Sequence, residues 1–166
     1  MNRNLLASIA KEEVAKKYHG FVEGNTSNIL PIISYFENWS LKEADGNWCA
    51  TFVYHCCIKS GFIIPVRPKE CVSCNLAGCG AWDEWARADE RIGYYANDFT
   101  PEVGDIVLYD FLFEEKEHDH IGIVLENRET SILVAEGNLN NVSGIIERDK
   151  DSHIRAYIRI SDNYSY

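Results

Sequence analysis

The strongest constraint on the fold is a change of hydrophobic periodicity near Pro101. Before this residue, apolar positions recur at helical spacing and predict helices over residues 4–17, 30–36, 49–59 and 81–91. After it, short apolar runs separated by charged or Asn-rich turns predict strands over residues 105–111, 120–125, 132–138, 144–148 and 154–160. Residues 38–47 and 93–100 read as loops. Because short consecutive strands with tight turns pair antiparallel, the sequence predicts an α+β fold with helices first and an antiparallel sheet second.

Composition indicates a single globular domain and argues against nucleic acid and a membrane span. The 166 residues are 46% hydrophobic, which is enough for a sizeable core. A net charge of −10 argues against nucleic acid, because binding its backbone needs clustered Lys and Arg. We expect no membrane span, since no apolar run approaches about 20 residues. The N-terminus is too charged for a signal peptide, and six cysteines in a chain of this size favour synthesis in the reducing cytoplasm.

One stretch, residues 47–53, places a cysteine where its thiol would be reactive. Cys49 falls in the first turn of the helix predicted over residues 49–59, directly after Asp45, Gly46 and Asn47, which are residue types that favour the N-cap position. A thiol there faces the positive end of the helix dipole and unpaired backbone N–H groups. Both lower a thiol pKa toward the reactive thiolate.

A thiol nucleophile also needs a base and a group that orients the base. His120 is the preferred base because it opens a strand, so that its ring can face a cleft at the end of the sheet, and His118 ranks second. His55 lies on the cysteine helix but faces away, and His19 and His153 read as surface residues. Glu136 and Asn138 end the next strand, and alternation would put both on one face. Glu136 is the preferred partner of the imidazole, with Asn138 in support.

Each of these residues also has a purely structural interpretation. A cysteine near a helix start is more often a small buried hydrophobe, and Glu-Gly-Asn alone is more often a turn.

The oxyanion donors are expected to be the Cys49 backbone N–H and a side chain, with Asn47 as a weak candidate. Cys71, Cys74 and Cys79 raise the alternative of a zinc site, although only one C-x-x-C pair is present. From the residues alone, a thiol enzyme and a structural role both remain open.

Three motifs in chain order resemble the CHAP family, the cysteine, histidine-dependent amidohydrolases/peptidases. They are Trp48 to Val53 followed by Gly61, then Pro101 to Val107, and then His120 to Val124 with Glu136-Gly137-Asn138. The family belongs to the broader NlpC/P60 and papain-like group. The resemblance covers roughly residues 40–160 and implies a papain-like fold. It predicts residues 1–40 as an N-terminal helical segment of the same domain and residues 41–166 as a CHAP-like catalytic core.

The resemblance implies cleavage of an amide in peptidoglycan, either the N-acetylmuramoyl–L-alanine bond or a peptide bond of the stem or cross-bridge. By the resemblance, Cys49 attacks the carbonyl, His120 takes and returns the proton, Glu136 orients His120, and Asn138 matches a further polar position. No cofactor and no metal are expected. Action on the wall or outside the cell is implied.

The chain departs from the family pattern before the nucleophile. Many members have Gln there, and Trp48 stands in its place, which leaves the second oxyanion donor unassigned. No Asp-x-Asp pair precedes the cysteine, so no calcium site is predicted, and no wall-binding module is recognisable. The competing hypotheses are a non-catalytic binding domain on the same fold and a thiol peptidase or acyltransferase that acts on another amide.

Overall fold

Helices precede strands along the chain, as the periodicity predicts. The computed structural model describes residues 2–166. Its helices are α1 (Asn2–Ala15), α2 (Leu30–Ile33), α3 (Leu41–Ala44), α4 (Cys49–Lys59) and α5 (Cys79–Ala88). Its strands are β1 (Ile92–Tyr95), β2 (Ile106–Tyr109), β3 (His120–Asn127), β4 (Ser131–Leu139), β5 (Val142–Asp149) and β6 (Ile154–Ile160). The predicted α+β, papain-like arrangement is confirmed.

The six strands form one antiparallel sheet in the order β1-β6-β2-β3-β4-β5. Strands β2 to β5 follow one another as a meander, since each pairs with the next. Strand β6 then returns to the far edge of β2 and also pairs with β1. This order makes β3, β4 and β5 direct neighbours, which matters for the site described below.

Most differences from the predicted elements lie in short segments. β1 falls within the segment predicted as a loop; it has four residues and pairs with β6 from Ile92↔Ile160 to Tyr95↔Tyr157. The strand is short and contains a glycine, so its sequence pattern does not predict a strand. Pairing with β6 stabilises it in the folded protein. α3 also falls in a predicted loop, where Ser40 and Glu43 form a reciprocal capping box. α4 and β6 have the predicted bounds.

The helix α4 lies at the centre of the larger core. Every residue from Cys49 to Cys57 is buried, so the helix is enclosed on all sides. It contacts β3 and β4 on one side and α1 and α2 on the others. A smaller apolar cluster, which includes Val107, Val124 and Tyr157, covers the sheet elsewhere. Within residues 2–166, no helix is long and apolar enough to cross a bilayer.

A buried carboxylate joins α1 to α4. Glu13 is fully buried and accepts hydrogen bonds from Tyr18 Oη at 2.8 Å and from Lys16 and Lys59, while its Oε2 lies 3.0 Å from His55 Nε2. Burial alone would raise the pKa of Glu13, but these hydrogen bonds lower it to about 2. A paired charge of this kind fixes the position of α1 against the helix that carries Cys49.

Gly137 lets β4 approach α4 closely. A Cβ at this position would lie 2.4 Å from Phe52 Cβ and 3.1 Å from the Trp48 ring. These distances are shorter than carbon atoms in van der Waals contact allow. The glycine of the Glu136-Gly137-Asn138 segment is therefore required by the packing of the sheet on α4.

We expect Gly137→Ala to lower the free energy of unfolding by about 1–3 kcal/mol, because the added methyl overpacks the β4–α4 contact. Urea unfolding followed by tryptophan fluorescence measures this. Gly80→Ala in α5 is the matched control, because a Cβ there meets only His118 at ordinary contact distance, 3.7 Å. That variant should be neutral or more stable by up to about 1 kcal/mol. Equal losses in both variants would contradict the close-packing argument.

Candidate active site

A groove of about 920 Å³ opens over the start of α4. Cys49 and His120 both line it, so the thiol and the imidazole share one solvent-accessible space. The walls are aromatic and polar, and the side chains that contribute include Phe21, Phe36, Trp39, Phe113, Glu37, Asp45, Glu114, Asp119, Lys116, Asn75, Asn140 and Asn141. A groove of this size and mixed lining suits an extended substrate with amide and hydroxyl groups.

Cys49 is the first residue of α4, as the sequence predicts. The N-cap is Trp48, whose side chain makes no capping hydrogen bond, so the expected capping role of Asp45, Gly46 or Asn47 is wrong. Trp48 is fully buried instead, and its backbone carbonyl accepts from Phe52 N to begin the helix. Because no side chain caps α4, its first N–H groups remain available, and that of Ala50 helps to lower the pKa of Cys49.

His120 opens β3 and is held by Glu136 of the neighbouring strand β4. The distance from His120 Nε2 to Glu136 Oε2 is 2.9 Å, and both side chains are buried. His120 also lies close enough to Cys49 for the two groups to shift each other's pKa. Since Nε2 is occupied by Glu136, Nδ1 is the ring nitrogen that remains for the thiol. Tyr109 stacks on the imidazole at 6.1 Å and Phe113 meets it edge to face at 5.0 Å, which fixes the ring plane.

Arg148 of β5 completes this row of charges, and sequence reasoning missed it. It donates two hydrogen bonds to Glu136, from Nε to Oε1 at 2.9 Å and from Nη2 to Oε2 at 2.7 Å. Its guanidinium also lies 5.1 Å from the Phe113 ring centroid. In the sequence, Arg148 reads as one charge in a polar strand, Glu-Arg-Asp-Lys. Only the pairing of β4 with β5 places it beside Glu136.

The electrostatics favour an ionised pair. A hydrogen bond with Cys79 lowers the pKa of Cys49; burial opposes this, and the bond and charge of His120 lower it further, to well below its ordinary value. Burial disfavours the charged imidazole, but its bonds to Cys49 and Glu136 outweigh this and raise the pKa of His120 to about 9. Glu136 keeps a lowered pKa despite its burial, because His120 and Arg148 both donate to it. The arrangement therefore favours thiolate, imidazolium, carboxylate and guanidinium together.

The comparison with known families identifies the family of the chain. A family model for the CHAP domain matches residues 41–138, which is more than half of the chain and includes Cys49, His120 and Glu136. The chain belongs to the CHAP family. CHAP domains are generally cysteine- and histidine-dependent hydrolases, and the family indicates a function of the peptidoglycan hydrolase or amidase type. No curated protein and no solved structure matches the chain.

In this CHAP domain, Asn138 and Asn47 line the same groove as Cys49 and His120, but their side-chain amides donate elsewhere. The register of β4 against β5 shifts between Glu136 and Leu139, and Asn138 has a positive φ of 56°. The expected alternation that would align Asn138 with Glu136 is interrupted there. Asn138 Nδ2 donates to Gly46 O at 2.8 Å, and Asn47 Nδ2 donates to Asp45 O at 3.3 Å. Both amides line the groove, and Asn138 ties β4 to the turn before the nucleophile.

The other two histidines considered occupy separate charge networks. His118 lines the groove, but its φ of 53° departs from an extended strand, and its Nε2 lies 3.3 Å from Asp83 Oδ2. His55 points toward α1, between Glu13 and the Tyr35 hydroxyl at 3.0 Å. Only His120 joins Cys49 to a buried carboxylate among the residues described.

The three cysteines considered as zinc ligands do not come together. Cys71 Sγ donates to Ala81 O at 3.4 Å, whereas Cys79 Sγ lies 3.6 Å from Cys49 Sγ. Within residues 2–166, no three or more His, Cys, Asp or Glu side chains are placed to hold one metal ion. Sequence spacing alone could not separate Cys79 from the C-x-x-C pair. In the folded protein, Cys79 lines the groove beside Cys49.

We expect iodoacetamide to label Cys49 faster than the other five cysteines at about pH 7, because its lowered pKa supplies thiolate below the usual thiol pKa of about 8.5. Timed alkylation followed by peptide mass mapping measures each rate. Burial raises the pKa values of Cys56 and Cys57, so both should react only after denaturation. Cys74 is the more accessible internal reference. A Cys49 rate no greater than that of Cys56 would refute the nucleophile assignment.

Proposed function

We propose that this CHAP domain hydrolyses an amide bond of peptidoglycan, with Cys49 as nucleophile, His120 as general acid and base, and Glu136 as the residue that orients His120. The observation that carries the proposal is the continuous row from the Cys49 thiol through His120 to buried Glu136, with its reactive end in the groove. A thiol enzyme needs this same set of nucleophile, base and orienting group.

In the first step, the Cys49 thiolate attacks the carbonyl carbon of the amide. The negative charge moves to the carbonyl oxygen, where the uncapped N–H groups at the start of α4, including that of Cys49, are the proposed donors. Collapse of this intermediate breaks the C–N bond. His120 gives its proton to the departing amine, which leaves a thioester on Cys49 and a neutral imidazole.

In the second step, His120 removes a proton from water as the water attacks the thioester. The second tetrahedral intermediate collapses, the C–S bond breaks, and the carboxylic acid product leaves while Cys49 returns to the thiolate. Glu136 accepts a hydrogen bond from His120 Nε2 throughout, so Nδ1 stays aimed at the reaction. We assign Asn138 a supporting role, because it holds the turn at Gly46 against β4.

The scissile bond is proposed to be either the N-acetylmuramoyl–L-alanine amide or a peptide bond of the stem or cross-bridge. The groove offers aromatic faces for sugar rings or aliphatic side chains, and amides for peptide groups. Trp48 does not replace the missing Gln as an oxyanion donor in this geometry. Its ring packs against Gly137, and it is not among the side chains that line the groove.

Digestion of purified peptidoglycan by the full chain tests the proposal. We expect soluble fragments whose mass and new amino terminus identify the bond: a free L-alanine amine for the amidase, and another amine for an endopeptidase. Cys49→Ala should release nothing, because the nucleophile is absent. Failure of the wild-type protein on several wall chemotypes, with its thiol shown to be reduced, would refute the cell-wall assignment.

We expect Glu136→Gln to lower kcat by on the order of 10²-fold or more, because the carboxylate charge that stabilises the imidazolium is lost. Without that charge the pKa of His120 falls from about 9, so the alkaline limb of the pH–rate profile should move to lower pH. A pH series of kcat on a fluorogenic peptide or on released amines measures both effects.

Glu147→Gln is the matched control for this variant. Glu147 is on the same strand as Arg148 but pairs at the surface with Arg128 and Ser131. Exposed pairs contribute little, so its rate and pH profile should stay close to wild type. An unchanged alkaline limb in Glu136→Gln would show that Glu136 does not act through His120.

A further inference from the structure

A second sulfur lies beside the proposed nucleophile. Cys79 Sγ is 3.6 Å from Cys49 Sγ, and the two side chains are 7% and 8% exposed. Each cysteine is the first residue of its helix, Cys79 of α5 and Cys49 of α4, and both line the same groove. Two separate helix starts therefore bring two thiols into contact at the place where small molecules can enter.

We propose that Cys49 and Cys79 form a reversible disulfide that a hydroperoxide closes and a dithiol reopens, so that the hydrolase is active only when the pair is reduced. The proposal rests on the proposed function in one respect, because it takes Cys49 as the reactive thiol. The geometry carries the rest: a covalent S–S bond is about 2.05 Å long, so the two sulfurs have to approach by about 1.5 Å. Rotation of two short side chains at helix starts can supply much of this movement.

The chemistry balances in two steps. The Cys49 thiolate attacks one oxygen of the hydroperoxide, the O–O bond breaks, and an alcohol or water leaves after protonation. The sulfur is oxidised by two electrons to the sulfenic acid, and the peroxide is reduced. Cys79 sulfur then attacks the Cys49 sulfur, the S–O bond breaks, and water leaves with the thiol proton of Cys79. A dithiol reduces the Cys49–Cys79 disulfide back to two thiols by exchange and is itself oxidised to a disulfide.

The surroundings distinguish the roles of the two thiols. His120 lines the same groove and favours the ionised form of Cys49, so Cys49 is the sulfur that meets the peroxide first. The hydrogen bond with Cys49, then burial and the negative charge of Cys49, raise the pKa of Cys79, which keeps Cys79 protonated beside Cys49 until the sulfenic acid forms. Once Cys49 is a sulfenic acid it carries no negative charge, so it no longer raises the pKa of Cys79.

The other cysteines do not offer this geometry. Cys74 also lines the groove, but its sulfur contacts Ser73 Oγ at 3.8 Å, and no contact with Cys49 is present among the described residues. Cys71 is turned to the Ala81 carbonyl. Cys56 and Cys57 are fully buried on α4, outside the groove lining. Cys79 is therefore the resolving thiol for Cys49.

The test treats the full-length protein with a small excess of hydrogen peroxide, alkylates the remaining thiols, and maps the peptides without reduction. We expect one cross-linked peptide pair containing Cys49 and Cys79, loss of wall hydrolysis, and recovery of most of that activity after dithiothreitol. In Cys79→Ser the pair cannot form, so the same dose should drive Cys49 to the sulfinic or sulfonic acid, and dithiothreitol should not restore activity.

Cys74→Ser is the matched control, because it removes a groove thiol that does not contact Cys49. Its peptide map should show the Cys49–Cys79 link, as in wild type. A link between Cys79 and Cys74, or sulfinic acid at Cys49 in wild type with no link, would overturn the proposal. The peptide map does not depend on hydrolysis. A Cys49–Cys79 link in a protein that releases no wall fragments when reduced would refute the proposed function and leave the disulfide standing.

Discussion

The site depends on one buried carboxylate, Glu136, which binds a cation on each side. His120 from β3 and Arg148 from β5 both donate to it, so three adjacent strands are joined by charge as well as by backbone hydrogen bonds. An unpaired carboxylate at zero exposure would be too costly to keep ionised. Arg148 allows Glu136 to remain negative, and Glu136 in turn allows the imidazole of His120 to remain positive. Arg148 on β5 therefore acts on the proposed nucleophile, Cys49, through Glu136 on β4 and His120 on β3.

Packing at the same place holds the sheet against α4. Gly137 follows Glu136 and lies against Phe52 and Trp48, so the residue that orients His120 is adjacent to the contact that fixes α4. Trp48 thus has a structural role, because its buried indole packs the start of α4 against β4. The proposed oxyanion site then depends on backbone N–H groups, whose positions the helix itself fixes.

The sequence predicted the parts of this arrangement that local patterns encode. The start of α4 at Cys49, the strand that opens with His120 and the strand that ends near Glu136 all follow from periodicity and turns, and their order indicates the family. The parts it did not predict are contacts between distant segments. In the sequence, Arg148 reads as an ordinary surface charge, and only the pairing of β5 with β4 brings it to the site. Cys79 reads as part of a Cys-rich loop, and only the packing of α5 beside the groove brings it to Cys49. The positive φ of Asn138 similarly arises from a strand irregularity that alternation does not foresee.

The charges of the site alternate in space, and in the mechanism proposed above this lets a buried centre react without accumulating charge. In the resting state the thiolate of Cys49, the imidazolium of His120, the carboxylate of Glu136 and the guanidinium of Arg148 sum to zero. When the thiolate attacks, its charge moves to the substrate oxygen and the sum is unchanged. When the amine leaves with the proton of His120, sulfur and imidazole become neutral together, and the Glu136–Arg148 pair remains balanced. Because a net charge is most costly in a low-dielectric interior, a set that stays neutral through each step avoids that cost.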